Sequence, residues 1–450
     1  MKEKANEKKL ENLVALAKRR GFVFPSSEIY DGFAAIYDFG PYGVELANNI
    51  KQAWWKVMTQ LRDDVVGLDS AIFMSPKIWE ASGHVKGFSD PLTECKKCHS
   101  RLRLDSLLED AGILADEKMS EEEINKIFAN HKDNIKCPNC GAKTLTPGKK
   151  FNLVVQSNLG NVTSDWTKEP TYLRGETCQG IYVNFKNVVD SARVKIPFGI
   201  AQIGKAFRNE ITARQFIFRT REFEQMEMQF FVRPEEEDKY FDLWKEIRFN
   251  FYLDLGIKKE NLRFREHEKK ELAHYAKATA DIEYKFPWAW AEIEGIAHRA
   301  DFDLKTHSQF SGEDLSYLDT ETNQRYFPYV IEPAAGADRA TLAFLIDSYD
   351  VVGEGTDART VLHLHPSLAP IKVAVLPLVK KDGMPEKAEK IYNDLLDNSI
   401  KSFYDHTAAI GRRYARQDEI GTPFCITVDT QSLSDDTVTI RERDSREQYR

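Results

Sequence analysis

Apolar side chains recur at helical spacing in three stretches of the chain. Leu10, Leu13, Val14 and Ala17 form an amphipathic stripe near the start. Leu46, Ile50, Ala53, Trp54, Val57 and Leu61 form a second, after the turn Gly40-Pro41-Tyr42-Gly43, whose proline suits a helix start. A strand from Val65 to Pro76 is expected to follow it. Phe241, Trp244, Ile247, Phe251 and Leu255 form the third, within a charged, mostly helical stretch from 234 to about 287 that reads as an insertion packed on a sheet. Leu262–Phe264 looks like a returning strand there, continued by Ala273–Lys277 and Asp281–Tyr284.

From 202 to 230 the period falls to two, which predicts a hairpin. On the incoming arm Gln202, Gly204, Arg208 and Glu210 share a face, with Ile203 and Phe207 opposite. On the returning arm Arg221, Phe223, Gln225, Glu227 and Gln229 share a face, with Met226, Met228 and Phe230 behind. The connection from Thr212 to Thr220 adds Arg214 and Arg219. Further on, Val330-Ile331-Glu332 ends a strand, Ala335-Gly336-Ala337 is tight backbone, and an apolar helix runs from Ala340 to Ile346 with Arg339 in its first turn.

The composition shifts at His365-Pro366-Ser367-Leu368-Ala369-Pro370, where two prolines mark a linker. A buried strand (371–378), a helix (about 386–400), another strand, a helix ending near Ile420 and strands at 424–429 and 436–442 then predict a small α/β domain. The last strand is followed by only a few charged residues, so no terminal helix is expected. Gly411-Arg412-Arg413-Tyr414-Ala415-Arg416 suits RNA phosphates and base stacking as well as it suits a charged helix face.

The polar faces of the hairpin carry unusual chemistry for a solvated sheet. Guanidinium groups fork onto phosphate oxygens, a Phe ring offers a stacking plane, and a Glu receives an amine. Arg208, Glu210, Arg221, Phe223 and Glu227 together suit a nucleotide and an amino acid lying on a sheet. Glu292 and Glu294, at i and i+2, are expected on one strand face, and Mg²⁺ needs only one or two carboxylates where phosphates supply other oxygens. Cys95-Lys96-Lys97-Cys98 and Cys137-Pro138-Asn139-Cys140 are two CxxC knuckles. Tight CxxC pairs let thiolates converge on one tetrahedral ion, and two such knuckles, with Gly141 after the second, favour a structural Zn²⁺ over a redox motif or free thiols. The gap between them exceeds the usual ribbon spacing and holds a helical insert, marked by a capping box from Ser120 to Glu123. Thr144–Lys149 is a turn-rich return. Cys178 and Cys425 stand alone and read as buried small residues. His84, in Trp79-Glu80-Ala81-Ser82-Gly83-His84, has nothing nearby in sequence to orient it as a base and receives no role.

Composition sets bounds. At 450 residues, two or three domains are expected. A net charge of −8 gives no global pull on nucleic acid, so any RNA contact must use local basic patches. No apolar run approaches the ~18 residues of a membrane span, and the N-terminus lacks a signal-peptide core. Six Cys in this length do not suggest a disulfide scaffold, so the cytosol is the default compartment.

Phe207-Arg208-Asn209-Glu210 followed by Arg221-Glu222-Phe223 resembles motif 2 of the class II aminoacyl-tRNA synthetases. With Arg174-Gly175-Glu176-Thr177 before it and Glu332-Pro333-Ala334-Ala335-Gly336-Ala337-Asp338-Arg339 after it, nearly the whole chain resembles the dimeric glycyl-tRNA synthetases. That resemblance implies an α+β catalytic domain on an antiparallel sheet (1–364), with a zinc-knuckle and helical insert (91–148) and a helical insertion (about 235–287). A C-terminal α/β anticodon-binding domain (365–450) would complete the chain. It implies a homodimer built on a motif 1 helix and strand, with ATP, glycine and tRNA(Gly) as substrates and Mg²⁺ as cofactor. ATP would be held by Arg208, Asn209, Glu210, Phe218, Arg219, Thr220, Arg221, Glu222, Phe223, Glu292, Ile293, Gly336, Ala337, Asp338 and Arg339. Glycine would be held by Arg103, Glu176, Phe223, Glu224, Gln225, Met226, Glu227, Glu332, Pro333, Ala334, Ala335 and Gly336. Arg208, Glu210 and Arg339 would be the catalytic set, Glu292 the Mg²⁺ ligand, and Cys95, Cys98, Cys137 and Cys140 the zinc ligands. Two positions depart from the family pattern: Asp338 replaces a second glycine, and Ala334 a serine. The alternatives are a synthetase for another amino acid, such as proline or threonine, or a synthetase-like RNA-binding protein without ligase activity. A zinc-ribbon nucleic-acid protein would explain residues 95–140 and little else.

Overall fold

The computed structural model describes residues 2–115, 119–158, 171–211, 215–268, 272, 276–355 and 358–450, with side chains from residue 8 onward. Arg214 and the Ala273–Tyr275 part of the expected strand lie outside the described residues. Helix α1 (Lys2–Arg20) buries Leu13, Leu16 and Ala17. Helix α2 (Pro41–Trp55) begins at Gly40-Pro41 and buries Leu46, Ala47, Ile50 and Trp54. It approaches Phe22 so closely that a Cβ on Gly43 would lie 1.7 Å from the Phe22 carbonyl oxygen, so only glycine fits.

The main sheet has seven strands: β1 (Val65–Gly67), β2 (Phe198–Phe207), β3 (Glu222–Val232), β4 (Leu262–Glu266), β5 (Ala278–Lys285), β6 (Trp290–Ala300) and β7 (Tyr329–Gly336). Their order is β4-β5-β6-β7-β3-β2-β1, antiparallel except for β1 beside β2. Two expectations change here. The strand after α2 spans only Val65–Gly67 rather than reaching Pro76, because the chain leaves the sheet after Leu68, whose N–H still bonds to the Ala201 carbonyl. The 235–287 stretch is not a helical insertion throughout. Among the described residues of that stretch, only helix α3 (Glu237–Asp254) is long and helical, and its returning strands β4 and β5 are the edge of the main sheet.

One face of the sheet is closed by α2, α3 and helix α4 (Ala337–Ser348) over Met226, Met228, Phe230, Ile296 and Ile331. The opposite face is covered at one end only, where Phe185, Phe198 and Phe231 stack beneath the two short helices of residues 178–192. Its other end is left for polar side chains. The insert is a separate three-stranded sheet, with 89–94 between 101–103 and 149–152. Its helix Glu121–His131 carries the expected capping box at Ser120 and Glu123.

The C-terminal sheet is built from β8 (Val373–Pro377), β9 (Ser402–Tyr404), β10 (Phe424–Val428), β11 (Thr439–Glu442) and β12 (Gln448–Tyr449), in the order β9-β8-β10-β11-β12. The basic run 411–416 lies on helix Ile410–Asp418, but half of it faces inward. Arg413 is 2% exposed and donates to the carbonyls of Pro377, Leu378 and Asp405. The Tyr414 hydroxyl meets Thr427 and its ring lies under Arg441. These carbonyls stand at strand ends and need donors, so Arg413 satisfies backbone rather than RNA. Arg412 and Arg416 remain at the surface.

Candidate active site

The hairpin register decides which side chains meet. Phe223, Gln225 and Glu227 of β3 pair with Ala206, Gly204 and Gln202 of β2, and Gln225 and Glu227 pair with Gly336 and Ala334 of β7 on the other side. Alternation puts Phe223, Gln225, Glu227, Gln202 and Ala334 on the open face. Arg208 follows β2 directly, with its N–H on the Arg221 carbonyl. Its Nε donates to the Gly175 carbonyl at 3.1 Å, and its guanidinium lies between the rings of Phe88 (5.0 Å) and Phe223 (5.3 Å). Arg219 pairs with the buried carboxylate of Glu210 at 3.1 Å, and Arg221 Nε donates to the Glu210 carbonyl at 2.8 Å. The connection is therefore pinned back on its own stem. Arg339, in the first turn of α4, donates to the Phe218 carbonyl, packs over the Phe218 ring at 4.5 Å and pairs with Glu292 at 3.2 Å. Arg208 and Arg339 thus reach β3 from opposite neighbouring strands. Beneath them Arg174 is structural: it is 2% exposed and bonds the Ser70 carbonyl, and a Cβ on Gly204 would lie 2.1 Å from its Nη2.

Next to Phe223 the face becomes acidic. Glu227 accepts from Thr177 Oγ1 and from Gln225 Nε2 (2.7 Å). Glu332 accepts from Arg299 (3.1 Å) and from the Tyr182 hydroxyl (3.4 Å). Glu176 accepts from Gln179 Nε2 (2.8 Å) and from the Cys178 thiol (3.0 Å), and its other oxygen lies 3.4 Å from His84 Nε2. Three carboxylates share this pocket with one buried guanidinium, which Asp303 also holds at 2.8 Å. Like charges in a desolvated site cannot all ionise freely. Burial, aided by Glu332 and Glu176, pushes Glu227 up to about 8. Burial likewise pushes Glu332 up to about 7, against the pull of Arg299. Burial also opposes ionisation of Glu176, but His84 and Arg299 outweigh it and hold its carboxyl well below the usual range. The pocket is short of positive charge and suited to an ammonium group.

Comparison with known proteins decides the family. Residues 162–349 match the class II tRNA synthetase core domain of the G, H, P, S and T type, and residues 372–450 match the anticodon binding domain. Curated proteins named glycine–tRNA ligase are similar along nearly the whole chain. That of Clostridium acetobutylicum is 54% identical over 452 aligned positions, covering 99% of this chain and 96% of its own. That of Geobacillus kaustophilus is 54% identical over 449, covering 98% and 96%. The chain belongs to the glycine–tRNA ligases. Among solved structures, a Giardia lamblia prolyl-tRNA synthetase in complex with prolyl-adenylate aligns with a TM-score of 0.67 at 15% identity, covering 99% of this chain and 74% of that one. It shares the fold.

Within this glycine–tRNA ligase fold, several residues expected at the substrates face elsewhere. Glu224 and Met226 alternate with the site residues and point to the core side. Glu224 pairs with Lys51 of α2 at 2.7 Å, and Met226 is buried there. Pro333 and Ala335 share that far face by the same alternation, and Ala335 packs in the main core. Ile293 is 1% exposed within the same core, so its side chain cannot line a nucleotide pocket. Glu292 and Glu294 do not share a face. The β5–β6 register shifts at Ile282/Glu283, which adds a residue to β6 and breaks the period of two. Glu294 is fully buried against Arg248 (2.6 Å) and Tyr252 (2.9 Å). The carboxylate beside Glu292 is instead Asp281, since both flank Gly295 at 3.7 Å from its would-be Cβ. Arg103 is paired with Asp90 (3.3 Å) and Asp105 inside the insert. Asp338 accepts from the Glu224 N–H at 2.8 Å, where β7 has ended and offers no further carbonyl.

His84, left without a role on sequence grounds, is oriented after all: Ser82 Oγ meets its Nδ1 at 2.8 Å and Glu176 its Nε2. Thr177, Gln179, Tyr182, Arg299 and Asp303 also belong to the acidic pocket. Thr177 stood in the Arg174-Gly175-Glu176-Thr177 motif, but Arg299 lies at the end of β6 and Asp303 in the helix that follows, so no single periodicity joins them. In the insert, ligand atoms of Cys95, Cys98, Cys137 and Cys140 all lie within 4.8 Å of one another, with Cys95–Cys140 and Cys98–Cys137 sulfur pairs at 3.6 Å. Four thiolates about a tetrahedral Zn²⁺ at ~2.3 Å would stand nearly as far apart, so the set fits that ion. Cys178 and Cys425 are buried singly, as expected.

Proposed function

We propose that the protein activates glycine with ATP to glycyl-adenylate and then transfers the glycyl group to the 3′ end of tRNA(Gly). The observation that carries this reading is the junction on one sheet face of a Phe- and Arg-lined platform with a pocket of three carboxylates, Glu227 and Glu332 buried and Glu176 at its rim. The first serves a nucleotide; the second suits an ammonium with no side chain beside it. A carboxylate is already a nucleophile at neutral pH, so adenylate formation requires no general base. It requires alignment and neutralisation of charge, which can lower a barrier by roughly 7–11 kcal/mol.

Arg208 holds the α-phosphate and the glycine carboxylate, and Phe88 and Phe223 fix its plane. Arg339 holds the γ-phosphate end, with its guanidinium on one adenine face and Phe223 on the other. Glu210 receives the adenine amino group or a metal-linked water. Asn209, Phe218–Arg221, Glu292, Gly336 and Arg339 complete the nucleotide site, while Glu222 pairs with Lys205 on the far face of β3 and Ala337 packs in the core. Mg²⁺ bound with the nucleotide would supply neutralisation of phosphate charge, and Glu292 would hold it. Glu176, Glu227 and Glu332 surround the ammonium. A methylene is worth only ~1–3 kcal/mol in a plain pocket, so larger amino acids are excluded by carboxylates crowded against the α-carbon.

The domains follow this division: a catalytic unit of 1–364 with the 91–148 insert, and an anticodon-binding unit of 365–450. Cys95, Cys98, Cys137 and Cys140 would hold a structural Zn²⁺. A twofold dimer uses the α2 segment, supported by the exposed apolar side chains Val44, Leu61 and Phe73. Thiols gathered for a metal suit a reducing compartment such as the cytosol. The test is ATP–pyrophosphate exchange against each amino acid, without tRNA. Exchange with glycine alone is expected; exchange with proline, threonine or alanine instead, or with none, defeats the reading.

A further inference from the structure

Beside the acidic pocket stands a short segment, Pro76–Phe88, whose Phe88 ring supports Arg208 of the nucleotide platform. Its His84 is 11% exposed in the side chain and is held on four sides. Trp79 and Phe88 meet the imidazole edge-on at 5.3 and 5.0 Å. Ser82 Oγ lies 2.8 Å from Nδ1, and Glu176 Oε2 lies 3.4 Å from Nε2. Gly83, between Ser82 and His84, has φ +83, a left-handed conformation that turns the two side chains toward each other. An ionised carboxylate only accepts, so the ring nitrogen that faces Glu176, Nε2, is the one that donates to it, while the Ser82 hydroxyl can serve Nδ1 as donor or acceptor. The other face of the story is Phe88, whose ring also supports Arg208 at 5.0 Å.

We propose that His84 is a positioning residue for the amino-acid substrate: through its Nε2–H it fixes the Glu176 carboxylate in the orientation that receives the substrate ammonium. Glu176 has two oxygens to place. Gln179 and Cys178 take Oε1, and His84 approaches Oε2. Without the imidazole the carboxylate can rotate about its terminal bonds, and the ammonium meets a mobile acceptor rather than a preorganised one. Ser82, whose Oγ lies 2.8 Å from Nδ1, steadies the ring and acts one step further back. The proposal rests on the glycine-activating reading above, and the two fail differently.

The experiment is glycine-dependent ATP–pyrophosphate exchange by the full-length protein, comparing wild type with His84→Ala, His84→Gln and Ser82→Ala. Thermal melting of each variant accompanies the kinetics. A hydrogen bond to a charged group supports a rise in glycine KM of roughly 10-fold or more for His84→Ala, with ATP KM within about twofold of wild type. Glutamine carries an N–H where Nε2–H stood, so His84→Gln is expected to recover most of the glycine KM. Ser82→Ala is expected to give an intermediate rise. An unchanged glycine KM in His84→Ala overturns the proposal. So does a parallel rise in both KM values with a lowered melting temperature that glutamine fails to rescue, since that is the signature of lost packing. If His84→Ala does not fold, the Ser82→Ala and His84→Gln pair decides: glycine KM at the wild-type value in Ser82→Ala and no recovery of function in His84→Gln overturn it. A wild-type protein inert toward glycine defeats the functional reading and is seen before any variant is made.

Discussion

A carboxyl group forced to stay protonated leaves a trace in both stability and binding, and Glu227 is such a group. Its ordinary value is 4.5, and burial beside Glu332 and Glu176 raises it to about 8. The sign follows from which state binds the proton more tightly. Here the folded state does, so the favourable contribution is fully present below the unfolded value and is lost as pH rises through about 8. The ligand-free protein should therefore lose stability between about pH 4.5 and 8 in excess of what Glu227→Gln loses, measured as melting temperature against pH. An incoming ammonium favours the ionised form, so binding glycine should expel a proton, and its affinity should climb over the same interval. Calorimetry in two buffers of different ionisation enthalpy reports that proton directly. Identical apparent enthalpies in the two buffers would contradict it. The resemblance brought Glu176, Glu227 and Glu332 to one substrate, but a glutamate at a strand position carries no sign of how far its site will be desolvated, so the raised values were not legible in the sequence. The histidine that orients Glu176 was hidden by distance: 92 positions separate His84 from the acid it faces.

At the level of elements, periodicity served well where strands were regular and failed where one was not. The alternation over 222–230 sorted Phe223, Gln225 and Glu227 from Met226 and Met228, and the structure keeps that division. A consecutive run such as 223–227 or 332–336 assigned whole to a substrate ignores it, which is why Glu224, Met226, Pro333 and Ala335 fall on the wrong side. In β6 the extra residue opposite Ile282/Glu283 reverses the phase, and no composition cue marks a bulge in Glu292-Ile293-Glu294. The consequence is testable. Arg248 and Glu294 are both fully buried, joined at 2.6 Å between α3 and the sheet. Glu294→Gln leaves Arg248 charged and uncompensated, at an expected loss of about 3–5 kcal/mol in urea unfolding. Replacing both, as Arg248→Met with Glu294→Leu, should cost less than the single change. The Mg²⁺ concentration needed for exchange should move in Glu292→Gln and stay put in Glu294→Gln assayed below its unfolding range. The reverse pattern would return Glu294 to the metal.

Across the whole molecule the chain alternates between parts that fold by burying apolar surface and one part that has little to bury. The main sheet is sealed on one face by three helices. The insert, by contrast, closes over a few side chains: Leu104, Leu108, Ala115, Ile124, Phe128 and Ile135. Small units of this kind generally need a metal or a covalent staple. The two CxxC pairs announced that need in the sequence, because four thiols at this spacing have little other use. What the spacing left open was their convergence across the helix between them. The insert also has a direct line to the site: the chain passes from Phe88, under Arg208, through the strand Ser89–Glu94 and into Cys95. Loosening the cysteine end should therefore be felt at Arg208. Chelation, or Cys95→Ser with Cys98→Ser, is expected to remove one bound zinc per chain. Amide protection should fall across the insert strands 89–94, 101–103 and 149–152 and hold in the seven-stranded sheet. The exchange reaction should weaken without vanishing, because Phe223 and the Gly175 carbonyl still hold the guanidinium. Metal analysis with hydrogen exchange on the same sample separates the outcomes. Zinc absent from the native protein removes the metal from the account. Loss of protection throughout the main sheet would mean that the insert is part of the core rather than a buttress leaning on Arg208.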